Sequence, residues 1–352
     1  MSDSTDNNFT SSPFIPSSSS VGKMMRSVIY ALIPGILLYI YFFGWGVLVN
    51  VCLAVVAALF FEWLMLVMCQ RPVRVFLFDG SAIITAMLLA LALPTIAPWW
   101  IPVVGSFFAI VVAKHLYGGL GYNVFNPAMA AYAVLLISFP LEMTLWSLPL
   151  DKLPQNISFV DALNFSFFRE LPSNLNIDAI TSASLLDHIR TEVGLGHSLA
   201  DVQSSPVFGH VAAAEYEWIN IAFLAGGLWL IYRKIITWHI PLAMLLSLFT
   251  ISLICHLIDD NQFSSPLIHL FGGASIIGAF FIATDPITAS TTALGRLIYG
   301  CGIGLLTFAI RTWGGYPDGV AFAVLLIGLT VPLLDHYTAP KVYGARKGYD
   351  KD

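Results

Sequence analysis

The chain has 352 residues, of which 57% are hydrophobic and only 11% are charged. Soluble domains carry about 25% charged residues, so this composition excludes a soluble protein and predicts an all-α polytopic membrane protein. The net charge is −5, and the sequence has no basic cluster, which argues against a nucleic-acid partner.

The apolar pattern divides the chain into two sets of five predicted helices. The first 22 residues are polar and aperiodic, which predicts a disordered cytoplasmic tail. Ten apolar runs follow, and each predicts a transmembrane helix. The runs cover residues 27–43, 46–68, 81–98, 99–114, 127–145, 218–232, 239–258, 267–283, 297–312 and 319–335. The predicted units are a first five-helix repeat at 23–140, a polar loop at 141–217, a second five-helix repeat at 218–340 and a cytoplasmic tail at 341–352.

Two of the runs are short for a membrane span. The third is uninterrupted only over residues 82–93, before Pro94, and the fifth only over residues 128–139, before Pro140. Broken helices are tolerated at membrane depth where they line a cavity enclosed by protein. The pattern therefore predicts short or broken helices around a central cavity.

The distribution of Lys and Arg predicts the orientation. With the N-terminus in the cytoplasm, twelve of the sixteen basic residues fall inside, and only Lys152, Arg169, Arg190 and Arg311 fall outside. The positive-inside rule then predicts that both termini are cytoplasmic and that the 141–217 loop is extracytoplasmic.

Glu62 is the one carboxylate well inside a predicted span. Acidic residues within the membrane are candidates for an ion path, but near a helix end they can form an ion pair instead. The sequence leaves both interpretations open.

Residues 117–129 form the best candidate for a ligand site within the membrane. Gly118 and Gly119 allow the backbone to turn tightly and to approach a flat ligand. Asn123 and Asn126 each offer a donor and an acceptor, which suits the edge of a flavin ring. Asn126 before Pro127 is equally typical of a helix cap, and the two roles can coexist.

The 178–184 segment is the most informative part of the polar loop. It contains Asp178, Thr181, Ser182 and Ser184. Such a hydroxyl-rich segment most often forms a turn or a helix cap. It can also present a hydroxyl to a second enzyme as an attachment point.

A weak internal similarity relates the two halves. The sequence His115-Leu-Tyr-Gly-Gly precedes an AVLLI string at 133–137, and Arg311-Thr-Trp-Gly-Gly precedes another at 323–327. Because each half has five predicted helices, a true repeat is inverted, and such repeats commonly hold a ligand between broken helices. Chance similarity between apolar strings is the alternative.

The sequence contains no Ser/His/Asp arrangement, P-loop, HExxH or CxxC spacing. We therefore predict no catalytic side chain and no metal site on this chain, and we assign any chemistry to a bound cofactor.

Four strings carry a family resemblance: VVAKHLYGGLGYNVFNPAM at 111–129, the 178–184 segment, FFIATDPITASTT at 280–292 and GGYPDGVAFAVLLI at 314–327. They resemble the NqrB/RnfD family, which includes the D subunit of the bacterial Rnf electron-transport complex. The resemblance covers about residues 27–348, and it implies a ten-helix inverted-repeat subunit that carries flavin.

The resemblance also implies the cofactor sites. In the family, a motif of the form D-x-x-(S/T)-x-A-T receives FMN through a phosphoester on its last threonine. Ser184 stands at that position here, with Thr181 and Ser182 as alternative acceptors. A non-covalent riboflavin is implied near the glycines, where it would use Asn123 and Asn126.

The implied function is electron transfer across the bacterial inner membrane, coupled to Na⁺ or H⁺ movement, in a ferredoxin:NAD-type oxidoreductase. The implied partners are iron–sulfur, NADH-binding and second FMN subunits, and the chain is not expected to be active alone. The alternatives are a channel or secondary transporter with the same helix arrangement, or a scaffold without a redox role.

Overall fold

The structure is a computed structural model that describes residues 21–155, 157–171, 175–195, 199, 213–316 and 318–340. The two predicted tails lie outside the described residues, except that Val21 and Gly22 begin the first helix. Parts of the 141–217 loop also lie outside them.

The first half is built from six helices, and one of them continues as a π-helix. They are α1 (Val21–Phe43), α2 (Trp45–Met68), α3 (Val73–Leu77), α4 (Ser81–Ala92), α5 (Trp100–Phe107) with the π-helix Phe108–His115, and α6 (Pro127–Ser138). Gly44 separates α1 from α2, and Gly80 separates α3 from α4; both have positive φ, which glycine adopts without steric cost.

The polar loop folds into short elements. These are α7 (Pro140–Thr144), β1 (Trp146–Ser147), a 3-10 turn (Leu150–Lys152), α8 (Phe159–Phe168), α9 (Ile177–Ile180), β2 (Thr181–Ser182) and α10 (Leu185–Gly194). The two strands pair antiparallel, with Trp146 opposite Ser182 and Ser147 opposite Thr181. This pairing ties the 178–184 segment to the beginning of the loop, just after the first half.

The second half has a similar series of helices. They are α11 (Ala214–Tyr232), α12 (His239–Ile258), α13 (Pro266–Phe271), α14 (Ser275–Ile277) with the π-helix Gly278–Ile282, α15 (Ala293–Trp313), α16 (Val320–Gly328) and α17 (Val331–Thr338).

The architecture is that of an all-α polytopic membrane protein. Among the described residues, five helical segments are long and apolar enough to cross a membrane: α1, α2, α12, α15, and α3 together with α4 (Val73–Ala92). A sixth is formed if α16 and α17, bent by 54°, make one span. Each of the ten predicted apolar runs falls on a helix or a broken helix. The predicted short helices are confirmed, because α4 and α6 each have only 12 residues.

The two halves share an order of packing. In the first half, α2 packs against α5 and its π-helix, which pack against α6; in the second half, α12 packs against α15, which packs against α16. The halves meet where α1 lies along α11. Their contact is close: a Cβ added to Gly226 would lie 2.2 Å from the Ala31 carbonyl oxygen. A hydrophobic core runs through both halves.

Candidate functional site

Ser184 occupies the start of a helix. It is the N-cap of α10, and its Oγ accepts a hydrogen bond of 3.3 Å from the backbone N–H of Asp187. The predicted cap is therefore present, because a serine hydroxyl can satisfy one of the unpaired N–H groups of a first helical turn. Ser184 Oγ acts only as an acceptor in this bond, and its own proton is not donated in any hydrogen bond described for this residue.

Ser184 also lines a cavity of about 140 Å³ between the two halves, which we call the Ser184 cavity. Its walls are largely apolar and aromatic, as in many sites for flat organic ligands. The aromatic residues in its wall are Tyr39, Tyr132, Trp146, Tyr216 and Phe223.

The other hydroxyls of the segment have different surroundings. Thr181 Oγ1 donates to the Ile177 carbonyl oxygen at 3.1 Å, which turns it back onto α9. Ser182 lines a smaller cavity beside β1, which Ser184 lines as well. Asp178 lies in the first turn of α9 and does not line either cavity. Of the predicted acceptors, Ser184 is thus the one that borders the space between the halves.

The smaller cavity contains a basic group. Lys152 lines it and forms an ion pair of 2.9 Å with Glu215. Glu215 is buried, and its second oxygen has no hydrogen-bond partner among the described residues. Ser184 therefore borders two cavities, and the smaller one carries the Lys152–Glu215 ion pair in its wall.

Asn123 lines a second cavity of about 90 Å³, which we call the Asn123 cavity. Its side-chain N–H donates to the Phe125 carbonyl oxygen at 3.1 Å. Its Oδ1 is buried and has no partner among the described residues. An unpaired buried acceptor is energetically unfavourable, so this oxygen suits a ligand that carries an N–H donor.

Asn126 lines the same cavity, but its side chain already forms hydrogen bonds with the protein. Its Oδ1 accepts from the backbone N–H groups of Ala128 and Met129, and its Nδ2 donates to the Ile282 carbonyl oxygen at 3.3 Å. The capping interpretation is confirmed. Asn126 also ties the start of α6 to the π-helix of the second half.

The predicted glycines shape the chain before the cavity and do not line it. Gly118, Gly119 and Gly121 all have positive φ. Arg71 donates to the Gly118 carbonyl oxygen at 2.7 Å, and a Cβ on Gly119 would lie 2.7 Å from the same guanidinium. These glycines are needed for the turn, and Gly118 and Gly119 are not among the residues that form the cavity wall.

A buried ion pair lies beside the Asn123 cavity. Lys114 Nζ donates to both carboxylate oxygens of Glu62 at 2.8 Å and to Ser81 Oγ at 3.0 Å. His115 Nε2 lies 3.1 Å from Glu62 Oε2, without hydrogen-bond geometry. Glu62 therefore forms an ion pair, which is one of the two interpretations that the sequence left open. Lys114 is one of the twelve basic residues assigned to the cytoplasmic side by the sequence, but it is only 2% exposed.

The second half carries a comparable pair at the other cavity. Arg311 donates to Asp318 at 3.0 Å and to the His269 carbonyl oxygen at 2.6 Å. Asp318 lines the Ser184 cavity and also accepts from the Ala274 N–H. Neither Lys114 nor Asp318 was predicted as a site residue; the only sequence signal was a charge beside an apolar run.

The two cavities share one wall residue. Leu88, in the short helix α4, lines both of them. The Ser184 and Asn123 cavities are therefore neighbours within the molecule.

Comparison with known proteins gives a consistent result. A family profile described as the NQR2, RnfD, RnfE family matches residues 8–344. The chain is 49% identical over 346 residues to the D subunit of the ion-translocating oxidoreductase complex of Aliivibrio salmonicida (strain LFI1238), across 96% of this chain and 99% of that protein. It is 48% identical over 347 residues to the protein of the same name from Escherichia coli (strain K12 / DH10B), across 96% and 98%.

Proposed function

The chain belongs to the NQR2, RnfD, RnfE family, and from that premise we propose that it is the flavin-carrying membrane subunit of an ion-translocating oxidoreductase complex. Its role is to pass electrons between flavins, coupled to Na⁺ or H⁺ transport. The observation that carries the proposal is the position of Ser184 at the N-terminus of α10 and in the wall of the cavity between the halves.

Ser184 is the proposed attachment point of FMN, through a phosphoester on Oγ. The position suits a phosphate, because the free N–H groups and the dipole of a helix N-terminus stabilise an anion there. Lys152, which is paired with Glu215, lies in the wall of the adjoining cavity. The aromatic wall of the Ser184 cavity provides an apolar surface for the ring. When bound, FMN supplies one- and two-electron redox chemistry that amino-acid side chains lack.

The Asn123 cavity is the proposed site of a non-covalent riboflavin. The buried Oδ1 of Asn123 supports this assignment, since a flavin ring carries an N–H that it can accept. Asn126 contributes by holding the start of α6 in place. Gly118 and Gly119 contribute only through the shape of the turn.

The adjacency of the two cavities through Leu88 supports electron transfer between them. Electrons must then enter and leave through other subunits, because the described part of this chain holds no cluster of metal ligands. We propose iron–sulfur, NADH-binding and second FMN subunits as partners in a ferredoxin:NAD-type reaction. The proposed location is the bacterial inner membrane, with both termini in the cytoplasm.

The test is covalent flavin on Ser184. The full chain, co-produced with a flavin transferase and then denatured, is expected to give a fluorescent gel band. The peptide that contains Ser184 is expected to carry the mass of FMN. Ser184→Ala removes the only atom at that position that can form the ester, so its band is expected to disappear.

Two further variants make the assignment specific. Ser184→Thr restores a hydroxyl at the same position and is expected to keep the band, while Thr181→Ala is expected to leave it unchanged. A band that persists in Ser184→Ala and vanishes in Thr181→Ala would assign the attachment point to Thr181 instead of Ser184. A wild-type chain without a band would contradict covalent attachment.

A further inference from the structure

The Asn123 cavity has one basic side chain in its wall. Lys114 lines the cavity, whereas its partner Glu62 does not. The cationic member of the pair therefore belongs to the cavity wall, and the carboxylate member does not. Ser81, which also accepts a hydrogen bond from Lys114, lies in the same wall.

The pair is shielded from water. The side chains of Lys114 and Glu62 are 3% and 2% exposed. Electrostatic interactions are much stronger in such surroundings than at a surface, where water and salt screen them. A buried ion pair is also costly to desolvate, and charged residues within the helices of membrane proteins commonly have a function.

Lys114 has no free donor for a ligand. Its three ammonium protons are matched by the two Glu62 oxygens and by Ser81 Oγ. Lys114 can therefore act on a bound ring through its charge, while Asn123 offers the unpaired hydrogen-bond acceptor.

We propose that the Glu62–Lys114 pair raises the reduction potential of the flavin in the Asn123 cavity, by holding a positive charge beside a ring that becomes negative when it is reduced. This inference rests on the proposed function. Addition of one electron, from a one-electron carrier of a partner subunit, gives the neutral oxidised ring one negative charge. No bond breaks and no proton moves in that step.

Three other ionisable groups surround the pair or the cavity. His115 lies against Glu62, and Asp79 accepts a 2.7 Å hydrogen bond from Ser81 Oγ. Asp285 lines the cavity from the second half and accepts a hydrogen bond from Thr288. Lys114 is the cationic residue of the cavity wall, and its ion pair with Glu62 holds it in place.

The test is a redox titration of the full chain in detergent on a Ser184→Ala background, so that only the non-covalent flavin is observed. Lys114→Gln removes the cation and is expected to lower the midpoint potential. The expected change is about tenfold in the ratio of oxidised to reduced flavin, or about 59 mV for one electron. Glu62→Gln leaves the cation without its counter-charge and is expected to raise the potential.

Two controls separate this role from a structural one. The double variant Glu62→Gln/Lys114→Gln leaves neither charge of the pair unpaired. Its midpoint potential is expected to lie between those of the two single variants. Lys234→Gln removes an exposed charge outside the cavity wall and is expected to leave the potential unchanged.

The outcomes distinguish the inference from the function on which it rests. An unchanged potential in Lys114→Gln, with flavin still bound, would overturn the inference. Shifts of both single variants in the same direction would also overturn it. Such shifts would not follow the sign of the charge removed and would indicate general damage to the site. A parent chain without non-covalent flavin would overturn the proposed riboflavin site, and this inference with it.

Discussion

At the scale of single residues, Asn123 and Asn126 show how two identical side chains three positions apart acquire different roles. Asn126 uses its oxygen for two backbone N–H groups at the start of α6. Asn123 keeps a buried oxygen without a partner among the described residues. The sequence left capping and ligand binding open for this segment, and the hydrogen bonds assign capping to Asn126.

Asn123→Leu is expected to weaken non-covalent flavin binding by roughly ten- to a hundredfold. The reason is that an unmet hydrogen bond costs about 1–3 kcal/mol. The measurement is the flavin released from purified, denatured protein across a series of added riboflavin concentrations.

Asn126→Ser is the comparison variant. Serine caps a helix nearly as well as asparagine, so flavin binding is expected to fall less than in Asn123→Leu. Wild-type flavin affinity in Asn123→Leu would remove that residue from the site.

At the scale of elements, the breaks in the helices follow directly from residue type. Pro94 lies just beyond the end of α4, and Asn126 with Pro127 begins α6. The proline at the first helical position has no N–H to leave unpaired, so it begins a helix without cost. These local signals are strong enough for the sequence to predict both short helices.

The contact between α1 and α11 depends on a glycine. Gly226→Ala is expected to lower the stability of the protein by about 1–3 kcal/mol, because the added methyl group would overlap the Ala31 carbonyl oxygen. Thermal unfolding of the purified protein in detergent measures the effect.

Gly328→Ala is the matched control, since a Cβ at the end of α16 meets nothing within 4 Å. It is expected to be neutral or slightly stabilising, because alanine favours a helix over glycine by about 1 kcal/mol. Equal melting temperatures for the two variants would show that the halves do not pack this closely.

At the scale of the whole molecule, the basic residues predict one orientation. Lys114 and Arg311 are each buried in an ion pair and do not count as loop charges. Without them, the split of basic residues is still eleven to three in favour of a cytoplasmic N-terminus.

Reporters placed in the 141–217 loop are therefore expected to face the extracytoplasmic side, and reporters after residue 343 the cytoplasm. Cysteine labelling with a membrane-impermeant reagent, in intact and in permeabilised cells, measures both positions. Two reporters on the same side would contradict the count of ten spans.

By itself, the sequence determined the membrane class, the positions of the helices and of their breaks, the helix cap at Asn126 and the stretch of hydroxyls around Ser184. These features depend on neighbours in the chain, so proline, glycine and apolar periodicity are sufficient to predict them. Only the tertiary structure decided which hydroxyl borders the cavity between the halves, and that Lys114 lines the other cavity while paired with Glu62. The physical reason is that each cavity is formed by both halves: Leu88 and Asn123 line the same cavity as Phe280 and Asp285, and no local sequence pattern records that proximity.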